Sequence, residues 1–189
     1  MNTKTIIKSK MILTIIAAML MVIMMVSFTG CGSENDNITP TVAPGNDYEL
    51  TVSGPDTLKA GEKVEYTVEV SKCNFKEGLL GIDFSVKYNK ELLKFESSEV
   101  VKVPTETWDV IHRADSDEQL TYFAVEDNDI IEDCVTVKGE GEFEVKLTFT
   151  VLKETSEDKN ILSLFDVMGT KDNETLDVAY GTGNAIELK

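Results

Sequence analysis

The chain has 189 residues, with 34 acidic and 18 basic side chains, one histidine and a formal charge of −16. That length suits one domain beside a leader and a linker. A body this acidic repels phosphate backbones and anionic headgroups, which makes nucleic acid a poor partner.

Lys4, Lys8 and Lys10 precede an almost wholly apolar run from Met11 to Val26. The run has the length of a signal h-region and falls short of the roughly 20 residues that a spanning helix needs. It closes in "SFTGC", Ser27 to Cys31, with small residues directly before the cysteine. That arrangement resembles a bacterial lipobox. The resemblance implies that residues 1–30 are a lipoprotein signal peptide and that the Cys31 sulfur carries a diacylglycerol. An uncleaved membrane anchor with an incidental cysteine is the other reading. Both put the rest of the chain outside the cytoplasm and tie it to a membrane. The leader holds three of the 18 basic residues and none of the 34 acidic ones, so the 159 residues after it stand at −19. Their acids are scattered between apolar positions, as on a solvated protein surface. Gly32 to Asp47, "GSENDNITPTVAPGND", has little apolar content and two prolines. Residues 31–47 thus read as a lipidated cysteine and a flexible tether, whose r.m.s. span is about 20–25 Å. The domain proper is expected over 48–189.

Beyond the tether the hydrophobic period is two. Val64, Tyr66, Val68 and Val70 alternate with polar residues, as do Ile82, Phe84, Val86 and Tyr88, and Phe143, Val145, Leu147, Phe149 and Val151. Each run sets an apolar face against a wet one. Tyr48–Val52, Leu92–Ser97, Trp108–His112, Leu120–Val125, Ile161–Met168 and Ala185–Leu188 complete about nine strands. "KAGEK", "KEG", "KGEGE" and "GTGN" supply turns between them. No segment sustains a helical period. The pattern predicts an all-β, antiparallel β-sandwich.

"LTYFAVEDND", Leu120 to Asp129, departs from the alternation. Leu120, Tyr122 and Ala124 fall on one parity, Phe123 and Val125 on the other, and acids follow. Something must cover the second face.

Catalytic chemistry has little to build on. His112, the single histidine, sits in a strand, and no nucleophile elbow, phosphate loop or Cys–His zinc spacing is present. Calcium loops starting at Asp115 or Asp127 fail at the required glycine or glutamate positions. The short strand connections leave little material for a groove that could hold a glycosidase carboxylate pair. The domain is therefore read as a non-enzyme without cofactor or metal. Cys73 and Cys134 could bridge outside the cytoplasm, or remain ordinary thiols.

"GLLGIDFSVKYNKELLKFES", Gly78 to Ser97, resembles the early strand pair of cohesin modules, through Gly78, Asp83, Phe84, Val86, Tyr88, Leu93 and Phe95. Asn89-Lys90 stands where that family has Asp-Pro. "AGEKVEYTVEVS", "GEFEVKLTFTV" and "LSLFDVMGTKDNETLDVAYGTGNAIEL" are similar to other family strands, so the resemblance spans roughly Tyr48 to Leu188. It implies a jelly-roll topology and a monomeric cell-surface receptor for dockerins, helical modules of secreted proteins that carry their own calcium. The family's binding face maps onto Gly81, Asp83 and Ser85, and onto Phe123, Val125, Glu126 and Asp127. Phe123 and Val125 would then be an interface core with a polar rim; alternatively, the segment "EDNDIIEDCV" folds back over them. Asp83 is either a contact or a solvated strand residue. A carbohydrate-binding or adhesive sandwich remains the competing function, with Trp108 its best sugar-stacking ring, and a sandwich that binds neither is a third.

Overall fold

A computed structural model describes residues 47–74, 76–126, 135–154, 160–172 and 175–188. The leader, Cys31, the tether up to residue 46, Asp127 and Cys134 lie outside the described residues, and the bridge between Cys73 and Cys134 with them. Ten strands are formed: β1 (Tyr48–Ser53), β2 (Lys63–Cys73), β3 (Leu79–Tyr88), β4 (Leu93–Lys102), β5 (Trp108–Ser116), β6 (Gln119–Glu126), β7 (Glu144–Val151), β8 (Asn160–Lys171), β9 (Val178–Gly183) and β10 (Ala185–Glu187).

Strand order is β4-β7-β2-β1-β9-β8-β3-β6-β5, with β10 added to β8. One half, β4-β7-β2-β1, packs its inner face on the other, β9-β8-β3-β6-β5, giving a jelly-roll sandwich that is nearly closed on one side by the β1–β9 pairing. The period-two runs are the reason: Tyr66, Val68 and Val70 on β2, Ile82, Phe84 and Val86 on β3, and Val145, Leu147 and Phe149 on β7 are all buried. Phe84 stacks on Tyr122 at 4.9 Å between ring centres and meets Phe143 edge-on at 6.3 Å, so the two halves interlock through aromatics. The buried apolar side chains form one cluster running from Tyr48 to Leu188. This segment therefore contains its own core.

Two features differ from the sequence expectation. All strand pairs are antiparallel except β1 with β9, which runs parallel over Tyr48↔Gly181, Glu49↔Thr182 and Leu50↔Gly183. And β9, a tenth strand, occupies the "GTG" stretch read as a turn. Its glycines serve close packing: a Cβ on Gly181 would lie 2.5 Å from Val167 Cγ1 and 2.7 Å from Tyr48 Cζ, and one on Gly183 would lie 2.5 Å from Leu164 Cβ. Asn184, just beyond, brackets β1. Its Oδ1 accepts from Val52 N at 2.6 Å and its Nδ2 donates to Val52 O at 3.0 Å.

Candidate partner-binding face

β3 lies between β6 and β8, so its outward residues have neighbours on both sides. Cross-strand register lines these residues up in rows. The central row runs Ile111, Phe123, Asp83, Met168, Tyr180 across β5, β6, β3, β8 and β9. On one side of it lies Asp109, Val125, Gly81, Thr170, Val178; on the other, Arg113, Thr121, Ser85, Phe165. Directly opposed residues share a face, and this face is apolar at half of its row positions. Ile111 is 58% exposed, Val178 40% and Tyr180 37%. Phe123, Val125, Phe165 and Met168 are half-buried. The outer face of the opposite half is by contrast charged and hydroxylic, with rows such as Glu65, Thr148, Ser97 and Thr67, Lys146, Glu99.

The polar groups of the apolar face divide into two sets. Thr121 donates to Asp115, Arg113 Nε donates to Asp115 Oδ1 at 2.5 Å, and Ser85 Oγ meets Thr121 Oγ1 at 2.9 Å. These groups satisfy one another. Asp83 does not join them: its Oδ1 is enclosed and finds no hydrogen-bond donor among the described residues. Burial pushes its carboxyl up to about 7. β8 carries a one-residue bulge opposite Asp83–Ser85, and Asp166 within it adopts φ 50° and stands exposed on this side.

Of the residues anticipated from sequence, Gly81, Asp83, Ser85, Phe123 and Val125 lie together on this face. Gly81 and Ser85 are buried and Asp83 is half-buried, so only part of the trio reaches the surface. Glu126 is elsewhere. It was expected in a polar rim, but it keeps the parity of Leu120, Tyr122 and Ala124 and turns inward at 6% exposure. There its carboxylate accepts from Thr107 Oγ1 at 2.7 Å and Thr105 Oγ1 at 3.4 Å, holding the turn before β5. Ile111, Met168, Phe165 and Tyr180 were not anticipated. The β8 stretch "ILSLFDVM" carries apolar residues on both parities, the same signal that marks Leu120–Val125, and it would have revealed Phe165 and Met168.

Trp108 is not a surface ring. It is 5% exposed and its Nε1 donates to Val135 O at 2.8 Å. His112 faces away from the apolar rows: its ring stacks on Tyr122 and its Nδ1 lies 3.3 Å from Ser98 Oγ at the seam between β4 and β5.

The cohesin domain profile matches residues 48–188, the whole of this sandwich. The chain belongs to the cohesin domain family. Among solved structures, it is similar to the cohesin module of a family 33 glycoside hydrolase from Clostridium perfringens, with a TM-score of 0.61 and 13% identity over 76% of this chain and 96% of that one. It is also similar to the sixth cohesin of Acetivibrio cellulolyticus scaffoldin B, solved in complex with a Cel5 dockerin mutant (TM-score 0.58, 16% identity, 76% and 99% covered). A type I cohesin–dockerin complex from Clostridium thermocellum gives a TM-score of 0.56 at 16% identity over 84% and 97% of the two chains. No curated protein matches the sequence. At these identities the structural likenesses concern the cohesin fold.

Proposed function

We propose that this cohesin is a non-catalytic receptor for dockerin-bearing proteins, which it captures through the outer face of β9-β8-β3-β6-β5. The observation that carries the reading is the apolar row Ile111–Phe123–Asp83–Met168–Tyr180, set on one sheet while the opposite outer face is polar. Phe123 and Met168 exclude water, while Asp83 and the Arg113–Asp115 pair fix orientation. That cohesins of the same fold were solved with dockerins bound supports the partner class. The dockerin carries the calcium. A signal peptide over 1–30 and a diacylglycerol on Cys31 hold the receptor at the outer side of the cell membrane, on the tether that follows. The carbohydrate reading loses its platform with Trp108 in the core.

The test is a pull-down from the secreted proteins of the source cells with residues 47–189 as bait. Capture of dockerin-bearing proteins, abolished by chelator, is the expected result. Recovery of none by a folded bait, with such proteins present, would overturn the reading. Replacing Phe123 and Asp83 together with Ala should weaken capture more than about tenfold, since an aromatic anchor alone commonly carries ~2 kcal/mol. Undiminished capture would move the site off this face. Mass spectrometry of the mature protein tests the anchor: a diacylglyceryl Cys31 at its N-terminus is expected, and retained residues 1–30 would refute it.

A further inference from the structure

The apolar face stores one acceptor that no described residue satisfies. Asp83 stands between Phe123 and Met168 with Oδ1 enclosed and no donor among the described residues. The groups that could have supplied one are committed elsewhere. Arg113 and Thr121 on the β5 and β6 side both donate to Asp115. Lys171 at the end of β8 pairs with Asp47 at 3.3 Å. From the core side Tyr48 is close enough to feel the Asp83 charge, yet its hydroxyl donates to Met168 O at 2.5 Å. Lys87 lies two rows away at the exposed end of β3. The remaining ionisable groups on this side, Asp109, Asp166 and the phenol of Tyr180, add no cation. A buried acceptor without a donor calls for a partner that brings one. The chain's charge of −16, with Arg113 and Lys171 paired to Asp115 and Asp47 and Lys87 two rows away, calls for that donor to be positive.

Resting on the dockerin reading above, we propose that the captured module seats a Lys or Arg side chain on Asp83, between Phe123 and Met168, and that capture is proton-linked through this one carboxyl. Desolvation holds the Asp83 carboxyl up at about 7 in the free domain. A cation against it favours the ionised form, so binding below neutrality must first expel a proton. Affinity is then full at pH 8 and falls as the pH drops through the free-state value. For a single site titrating near 7 the loss between pH 8 and pH 6 is about tenfold. His112, the chain's one histidine, lies on the core side of β5 against Tyr122 and Ser98, away from the row.

The experiment is isothermal titration calorimetry of residues 47–189 with a dockerin-bearing protein recovered in the pull-down. It is run at pH 8 and pH 6 in two buffers of different ionisation heat, with Asp83→Asn and His112→Gln alongside. The wild type should bind about tenfold more weakly at pH 6, with a buffer-dependent heat reporting proton release. Asp83→Asn should bind weakly at both pH values with no difference between buffers, while His112→Gln keeps the wild-type slope. Equal slopes for wild type and Asp83→Asn would overturn the proposal, as would tighter binding at pH 6, which would make the neutral acid the recognised form. Failure to bind at either pH by a folded wild-type domain would remove the dockerin reading itself, and the proposal with it.

Discussion

Asp83→Asn should make the free domain more stable at pH 8, although Asp83 stands at the centre of the apolar face. An Asp carboxyl titrates near 3.9 in an open chain, whereas burial pushes that of Asp83 up to about 7. Between those values the folded chain keeps a proton that the unfolded chain has lost, so stability falls as pH rises through the interval. The limit is about 1.4 kcal/mol per pH unit crossed, about 4 kcal/mol over the window. Asp83 as a whole is half-buried, with one oxygen enclosed. Water relieves part of the cost, and about 2 kcal/mol is the expected size. Urea titration of both proteins at pH 5, 6.5 and 8 isolates this carboxyl from the other acids, because only the difference between the two curves matters. The Asn variant should gain on the wild type as pH rises from 5 to 8, by about 1.3 kcal/mol, since about a third of the effect is already present at pH 5, and the gap should stop growing above about pH 8. A constant difference, or a wild type that gains on the variant with rising pH, would mean that Asp83 is satisfied in the free domain, and the case for a partner-supplied donor would fail.

Gly181→Ala should cost about 1–3 kcal/mol by overpacking, since its Cβ would collide with Val167 and the Tyr48 ring. Gly139→Ala, which meets nothing within 4 Å, should leave the urea midpoint unchanged. Glu126→Ala removes the acceptor of the Thr107 and Thr105 hydroxyls and should lower stability by about 2 kcal/mol. It should leave dockerin capture by the folded protein intact; weakened capture at unchanged stability would place Glu126 on the binding face after all.

The fold was legible wherever one face of a strand is wet. β2 and β7 alternate cleanly because their outward residues meet solvent or polar neighbours, β3 alternates as well although its Asp83 sits between Phe123 and Met168, and the predicted bounds differ from the observed ones by a few residues. β9 was hidden because Gly181 and Gly183 carry turn chemistry locally, whereas their reason is the crowding of Tyr48, Val167 and Leu164, residues distant in sequence. The candidate face was half legible for a related reason. Asp83, Phe123 and Val125 emerge from the family resemblance and from broken alternation on β6. Met168 is signalled by the apolar residues on both parities of β8, but its place beside Asp83, and that of Tyr180, comes only through the β3–β8 and β8–β9 registers, which no local pattern encodes. The placing of Glu126 went wrong where strand parity was abandoned one residue too early. Trp108, attractive as a surface ring, obeys the parity of Val110 and His112 and so turns to the core side.

β1 has a mechanical consequence. It is the first strand after the N-terminal segment and is held on both edges, by β2 antiparallel and β9 parallel, with Asn184 gripping Val52 from both sides. Hydrogen bonds of a ladder lie across the strand direction. A tug on the chain ahead of Asp47, directed along β1, therefore loads these bonds together in shear instead of peeling them one at a time. The load passes first to β2 and β9, so tension at the N-terminal end meets the central row at Tyr180, two strands before it reaches Asp83 and three before Phe123.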